Sequence, residues 1–194
     1  YESGTARIVN AAQSEIYGLE GSATYRPVPG LDLSACASWI HARYKNFNNA
    51  PIYTQCATLD AATQAACAQN GLSYVVIGRD LDNVTMQRTP EFTGFFGARY
   101  ATELGGGELS LSGNLSYSSS FFFGPSGIQF KQRGFETLAL RAQWNAPNDR
   151  WYIAAFGDNV TGNRHLTQVQ YSNFGLGANW NKPTTFGGEI GFKF

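Results

Sequence analysis

The sequence has no long apolar run and little charge. No stretch of about 18 uninterrupted apolar residues occurs in the 194-residue chain, which excludes a transmembrane helix. Lys and Arg total 14, Asp and Glu also total 14, and charged residues make up 14% of the chain. Without a basic excess there is no electrostatic footprint for nucleic acid, and we expect no nucleic-acid partner.

Catalytic and metal-binding patterns are equally scarce. The two histidines, His41 and His165, stand at no spacing from Ser, Cys or Asp that suggests a catalytic triad, and no Gly-x-Ser-x-Gly motif is present. We therefore expect neither an enzyme nor a cofactor. An enzyme at the rim of a barrel remains a weaker alternative, which would need one of these histidines beside an activated Ser or paired carboxylates.

Alternation with a period of two residues runs through the whole chain. Over Glu108 to Phe123, apolar residues such as Leu109, Leu111 and Leu115 alternate with Ser, Asn and Glu for about fifteen residues. Globular strands average about five or six residues, whereas a tilted strand needs about nine to eleven to cross a bilayer. Tyr, Trp or Phe recurs near strand ends, where aromatic rings sit at membrane interfaces. The pattern predicts an all-β, antiparallel transmembrane β-barrel of the outer-membrane type.

The predicted strands are seven or eight in number. They lie at about 14–26, 31–45, 91–104, 108–122, 136–146, 150–160 and 184–194, with Thr5 to Ala11 as a further strand or an extension. Their connections alternate between tight Pro- and Gly-rich turns and long loops, of which the longest spans about 46–91. Short turns on one side and long loops on the other are typical of outer-membrane barrels. Seven strands would be an incomplete barrel, whereas eight could close as a small one.

Several motifs stand at the ends of these strands. They are Val9–Ala11 with Glu15–Glu20, Tyr25–Leu31, Thr89–Gly94, Asp158–Thr161, and Pro183–Gly187 followed by Phe192–Phe194. In order and spacing they resemble the late barrel strands of TonB-dependent outer-membrane receptors. Thr184 departs from the Arg common in the family, and Asn163–His165 departs from its acidic and Tyr pattern.

The resemblance implies a receptor of the cell outer membrane with a barrel of about 22 strands filled by an N-terminal plug that engages the TonB system. Residues 1–194 would then be a single barrel segment holding the last seven or eight strands, with the plug outside it and the C-terminus in the periplasm. The whole protein would import a scarce nutrient such as a ferric siderophore. The alternative is a complete small eight-stranded barrel that acts as a channel, an adhesin or a structural anchor.

Cys56 and Cys67 lie in the longest loop, which would face an oxidising exterior, and we expect them to form a disulfide. Thr58 to Ala66 between them is typical of a short helix that stops at Gly71. Zinc binding is the alternative, but neither a second pair of cysteines nor a nearby His supports it. Cys36 lies alone on the polar face of a strand.

Two sets of aromatic residues are candidate functional sites. Phe186, Ile190, Phe192 and Phe194 match the C-terminal signal that the barrel-assembly machinery reads in this family, although Phe194 could instead simply face outer-membrane lipid. The loop residues Phe121, Phe122, Phe123, Tyr171, Phe174 and Trp180 are candidate contacts for an iron chelate or another large nutrient. Interfacial rings and packing within the loops are the alternative role for this second set.

Overall fold

The computed structural model describes residues 13–124 and 130–193. In chain order its strands are β1 (Gln13–Tyr25), β2 (Leu31–Asn46), β3 (Ala50–Gln55), β4 (Tyr74–Arg79), β5 (Phe92–Leu104), β6 (Gly107–Ser118), β7 (Phe121–Phe122), β8 (Lys131–Gln132), β9 (Phe135–Asn145), β10 (Trp151–Asp158), β11 (Leu166–Ser172), β12 (Gly175–Trp180) and β13 (Thr185–Phe192). One helix, α1 (Ala61–Gln69), lies between β3 and β4. No helix within the described ranges is long and apolar enough to cross a membrane.

Seven long strands form one antiparallel sheet in the order β1-β2-β5-β6-β9-β10-β13. They confirm the seven strands predicted from the alternation. Thr5 to Ala11, the open eighth strand, lies outside the described residues. The other strands form three small hairpins, β3–β4, β7–β8 and β11–β12.

One predicted strand is too long and the predicted helix starts too early. The strand expected at 108–122 ends at Ser118, because Ser119 closes the ladder: its N–H donates to the Phe92 carbonyl and its hydroxyl accepts from the Phe92 N–H. Phe121 and Phe122 then pair with β8 instead. The helix begins at Ala61 because Asp60 caps it, accepting the Thr63 N–H at 3.0 Å.

The register of the sheet is strongly staggered. Cross-strand partners run from Tyr25 to Leu33, Ala98, Gly113, Leu140, Gly157 and Phe186. Tyr25 ends β1 next to a tight turn, whereas Phe186 lies at the opposite end of the sheet, beside a long loop. The hydrogen-bonding direction therefore crosses the sheet obliquely, as it does where barrel strands tilt by about 35–45°.

The two faces of the sheet differ sharply. One face carries Leu, Ile, Ala, Gly and aromatic residues, and its side chains remain exposed, as with Leu19 and Phe186 at 74% each. Aromatic rings form a belt near each end of this face. The belt near the long loops contains Tyr17, Trp39, Phe92, Tyr117 and Phe186, and the belt near the turns contains Tyr25, Tyr100, Trp144, Trp151 and Phe192. Since soluble monomers rarely expose apolar patches beyond a few hundred Å², this face needs an apolar environment.

The opposite face is polar, with ion pairs close to the turns. Arg99 lies 3.4 Å from Glu108 and 4.0 Å from Asp32, and Arg141 lies 3.0 Å from Glu189. These pairs join side chains of different strands across the polar face. Aromatic rings also lie here, among them Tyr152 over Gly191 and Phe156 over Gly187, where a glycine leaves room for each of these two rings.

Hydrophobic burial is concentrated in the long loops. One cluster combines Tyr44, Ala50, Ile52 and Leu81, and a second combines Cys56, Cys67 and Val75. The loop between β2 and β5 therefore has two small cores of its own, at one end of a sheet whose apolar face is bare.

The turn between β1 and β2 depends on Gly30, which has φ +83. A Cβ here would also collide with the carbonyl oxygen of Ala101 on the neighbouring strand, whose N–H donates to the Gly30 carbonyl at 2.8 Å. Gly105, with φ +63, has open space around it.

Replacing Gly30 with Ala should lower the free energy of unfolding by about 1–3 kcal/mol, because the left-handed backbone and the collision add together. Gly105→Asn is the matched control, since Asn tolerates the left-handed region. Denaturant midpoints followed by circular dichroism test this, and equal midpoints for both variants would contradict it.

Candidate functional site

Three long loops lie side by side at one end of the sheet. We name them L1 (residues 47–91, between β2 and β5), L2 (119–134, between β6 and β9) and L3 (159–184, between β10 and β13). They connect strands that are adjacent in the sheet, so the loops are neighbours in space. Together they form what we call the loop collar.

L1 contains a lobe closed by the predicted disulfide. Cys56 and Cys67 are bonded, their Cα atoms lie 6.4 Å apart, and both are buried against Val75 of β4. Hydrogen bonds from the hydroxyl and the N–H of Thr63 lower the pKa of Asp60, which caps the helix between the two cysteines. The lobe is thus ordered by a covalent closure, a small core and a helix cap.

L1 and L2 meet at Arg88. Its N–H donates to the Phe122 carbonyl at 2.7 Å, and its guanidinium lies 5.7 Å from the centre of the Phe123 ring. Phe121 and Phe123 pack edge to face with their ring centres 5.1 Å apart. Phe123 is only 4% exposed, so its ring is part of the packing between these loops.

L3 meets L2 at Gln132 and meets the start of β9 at His165. The buried Gln132 side chain accepts the Leu166 N–H at 2.8 Å. The His165 ring stacks on Phe135 with ring centres 3.7 Å apart and planes 10° apart. Burial lowers the pKa of His165, and its Nδ1 has no partner within the described residues. A neutral imidazole therefore suits this position.

The foot of L3 is held by the buried side chain of Asn159. Its amide donates to the carbonyls of Asn163 at 2.9 Å and Lys182 at 3.1 Å, which lie on opposite sides of the hairpin β11–β12. The main-chain carbonyl of Asn159 accepts a hydrogen bond from the Thr184 hydroxyl at 2.8 Å. Asn159 adopts φ +49, a left-handed conformation that Asn tolerates better than most residues.

L1 and L3 meet at the tip of the hairpin β11–β12. The Asn173 carbonyl accepts the N–H of Ser73 at 2.7 Å and that of Tyr74 at 3.0 Å. All three loops are thereby held together by hydrogen bonds or ring contacts. L1 is bonded to L2 and to L3 through main-chain atoms, and such bonds could not be predicted from the sequence because a main-chain contact leaves no residue-type signal.

The six candidate ligand contacts occupy different positions in the collar. Phe174 at the hairpin tip and Trp180 on β12 are 75% and 62% exposed, so both rings are accessible. Phe121 and Phe122 are partly buried, and the Lys131 ammonium lies 5.5 Å from the centre of the Phe122 ring. Phe123 packs inside the collar, and the side chain of Tyr171 lies outside the described residues.

The candidate C-terminal signal lies on β13. Phe186, Ile190 and Phe192 are exposed on the apolar face of this edge strand, and Phe194 lies outside the described residues.

Comparisons with known proteins identify related barrels. A family model described as "TonB dependent receptor-like, beta-barrel" matches residues 1–161. The fold is similar to that of the ferric yersiniabactin uptake receptor FyuA from Yersinia pestis, with a TM-score of 0.65 and 15% identity over 91% of this chain and 23% of that one. It is also similar to BauA, the ferric preacinetobactin receptor from Acinetobacter baumannii, with a TM-score of 0.61 and 17% identity over 91% of this chain and 22% of that one. The chain thus spans less than a quarter of the length of either receptor, and no curated protein sequence matches it.

Asn159→Ala should loosen the foot of L3 at a cost of about 2 kcal/mol, since two hydrogen bonds of about 1 kcal/mol each are lost. Amide hydrogen exchange of residues 160–166 measures this. Asn163→Ala is the control, because Asn163 accepts the Asn159 amide through its main chain. Equal exchange in the two variants would contradict the assignment.

The docking of L3 should weaken in mild acid. Because burial lowers the pKa of His165, its contribution to stability is complete above the ordinary histidine pKa of about 6.5 and declines as the pH falls below that value. His165→Phe keeps a stacked ring but cannot titrate. Exchange rates in L3, compared between pH 7.5 and pH 5.5, should therefore change less in His165→Phe than in the wild type or in the control His41→Phe. Identical pH responses in all three proteins would refute this.

Proposed function

Because the chain belongs to the TonB-dependent receptor family and carries part of its β-barrel, we propose that it serves in an outer-membrane receptor that imports a scarce, large nutrient such as a ferric siderophore. The observation that carries this proposal is the staggered sheet of seven strands, with a bare apolar face and a loop collar at one end. The family and both similar structures are receptors, and we propose no catalytic role for the chain.

The apolar face is proposed to meet lipid. Its two aromatic belts are separated by eight residues along β5, from Phe92 to Tyr100. That separation is about 27 Å along the strand, or about 20 Å along the membrane normal at a tilt of about 40°, near the height of about 25 Å typical of barrel apolar bands.

The two edges of the sheet are an argument for a barrel with more strands. β1 and β13 are the two edge strands, and the described residues offer them no further partner. Single-chain bacterial barrels have even strand numbers, and unpaired backbone groups are not tolerated in lipid. We therefore propose that further strands of the same receptor pair with both edges, rather than that this chain closes as a small barrel. The barrel-assembly machinery would use the exposed edge of β13 during insertion.

The polar face is proposed to line the lumen and to contact a plug. Its ion pairs, such as those between Arg99 and Glu108 and between Arg141 and Glu189, lie toward the tight turns. Short turns are periplasmic in such barrels, which would place the C-terminus in the periplasm and the collar outside the cell. The plug and the segment that engages the TonB system would belong to the part of the receptor outside this chain.

The chemistry of L2 and L3 favours an anionic chelate. L2 and L3 contain no acidic residue, and they carry Lys131, Arg133, Arg164 and Lys182. All four of these side chains are exposed, and within the described residues no carboxylate forms an ion pair with them. The exposed rings of Phe174 and Trp180 add flat apolar surface to L3.

Uptake of iron-labelled siderophores by iron-starved cells tests this function. Deleting the gene should abolish uptake of one anionic chelate, and restoring it should recover uptake only while the TonB system is intact. The double variant Phe174→Ala with Trp180→Ala should raise the half-saturating concentration about tenfold, equivalent to about 1.4 kcal/mol.

Val76→Ala, which removes an exposed apolar side chain of L1, is the control and should leave uptake unchanged. Surface levels of each variant must be equal for the comparison. Uptake that continues without the TonB system would contradict the proposal. So would a double variant that leaves the half-saturating concentration unchanged for every imported chelate.

A further inference from the structure

The hairpin β11–β12 is attached to L1 through one short segment, Leu72–Tyr74. Two consecutive N–H groups of this segment, from Ser73 and Tyr74, converge on the carbonyl of Asn173 at the hairpin tip. The Asn173 side-chain oxygen is buried without a partner among the described residues, so the contact is made by the main chain alone.

The same segment is bonded to both cysteines of the disulfide. The Cys56 N–H donates to the Ser73 carbonyl at 2.9 Å, and the Leu72 N–H donates to the Cys67 carbonyl at 2.9 Å. Segment Leu72–Tyr74 therefore lies between the disulfide on one side and the hairpin tip on the other. We infer that the Cys56–Cys67 disulfide positions the hairpin β11–β12 through this segment.

Besides the disulfide, the segment is held by its continuation into β4, where Tyr74 pairs with Gln55 of β3, and by a short helix and a small core. Helix α1 has nine residues, rich in Ala, Thr and Gln, and isolated helices of this length are marginal in water. The small core behind the segment consists of the two cysteines and Val75, with Leu59, Leu72 and Ile77 packed against it. Breaking the disulfide removes the covalent link between the two sides of this core.

The hairpin displays Phe174 and Trp180, the two most accessible candidate contacts. A fixed hairpin would present these rings in one place and so lower the conformational entropy lost when a ligand binds. This benefit rests on the proposed function, because it requires a ligand. The positioning itself is a property of the unliganded protein and can be measured without any nutrient.

Amide hydrogen exchange of the whole receptor in detergent, without ligand, tests the inference. The double variant Cys56→Ser with Cys67→Ser should accelerate exchange in residues 168–177 at least tenfold and leave β5 and β6 unchanged. Cys36→Ser, which removes the exposed free thiol on the polar face, is the matched control and should resemble the wild type.

A second variant tests the route. Ser73→Pro removes one of the two N–H donors while keeping both cysteines, and it should also accelerate exchange in the hairpin. Asn173→Ala should not, because the main-chain carbonyl remains. Acceleration in the cysteine variant but not in Ser73→Pro would overturn the proposed route, and no acceleration in either would overturn the inference itself.

If the cysteine variant loses protection throughout the sheet, the folded wild type can be reduced with a phosphine and reoxidised. The exchange rate of the hairpin amides should then rise on reduction and return to its first value on reoxidation. An exchange rate that is the same in both states would refute the inference. If hairpin exchange depends on the disulfide as expected but the receptor imports no chelate, the result counts against the proposed function and not against this inference.

Discussion

The staggered register of the sheet determines where everything else lies. Because the partners that run from Tyr25 to Phe186 cross from the turn end to the loop end, the strands must tilt, and side chains at different heights along neighbouring strands reach a common level. That tilt aligns the aromatic rings into two belts. The register also keeps the apolar residues of the seven strands on one face, since a shift of one residue would have turned every side chain of a strand to the other face.

The sheet order then brings the three long loops together. Each loop joins two neighbouring strands, so L1, L2 and L3 lie in a row at one end of the sheet. Main-chain groups in such long connections need partners, and each loop supplies some for the next: Arg88 and Phe122 join L1 to L2, and Gln132 joins L2 to L3. The collar is thus a product of the same backbone pairing that builds the sheet.

The sequence predicted the sheet well because alternation reports directly which face each residue occupies. It located seven strands, and the loop position of Cys56 and Cys67 favoured the bond between them over zinc binding. It extended one strand into Phe121–Phe122, since alternation continues past Ser119, where a side-chain hydrogen bond ends the ladder. Nor could it predict that Phe156 faces the polar side, because that depends on a glycine on the adjacent strand, Gly187, that leaves space for the ring.

The loop contacts were beyond sequence reasoning for a different physical reason, which bears on how such a receptor could change its ligand. The bonds that join L1 to L3 use the carbonyl of Asn173 and the N–H groups of Ser73 and Tyr74, which most residue types would supply equally. Exposed side chains beside them, such as Phe174 and Trp180, take no part in these bonds. Substitution of the exposed rings can therefore alter the proposed recognition surface without loosening the collar, whereas loss of the disulfide is expected to disturb the collar without altering any of those rings.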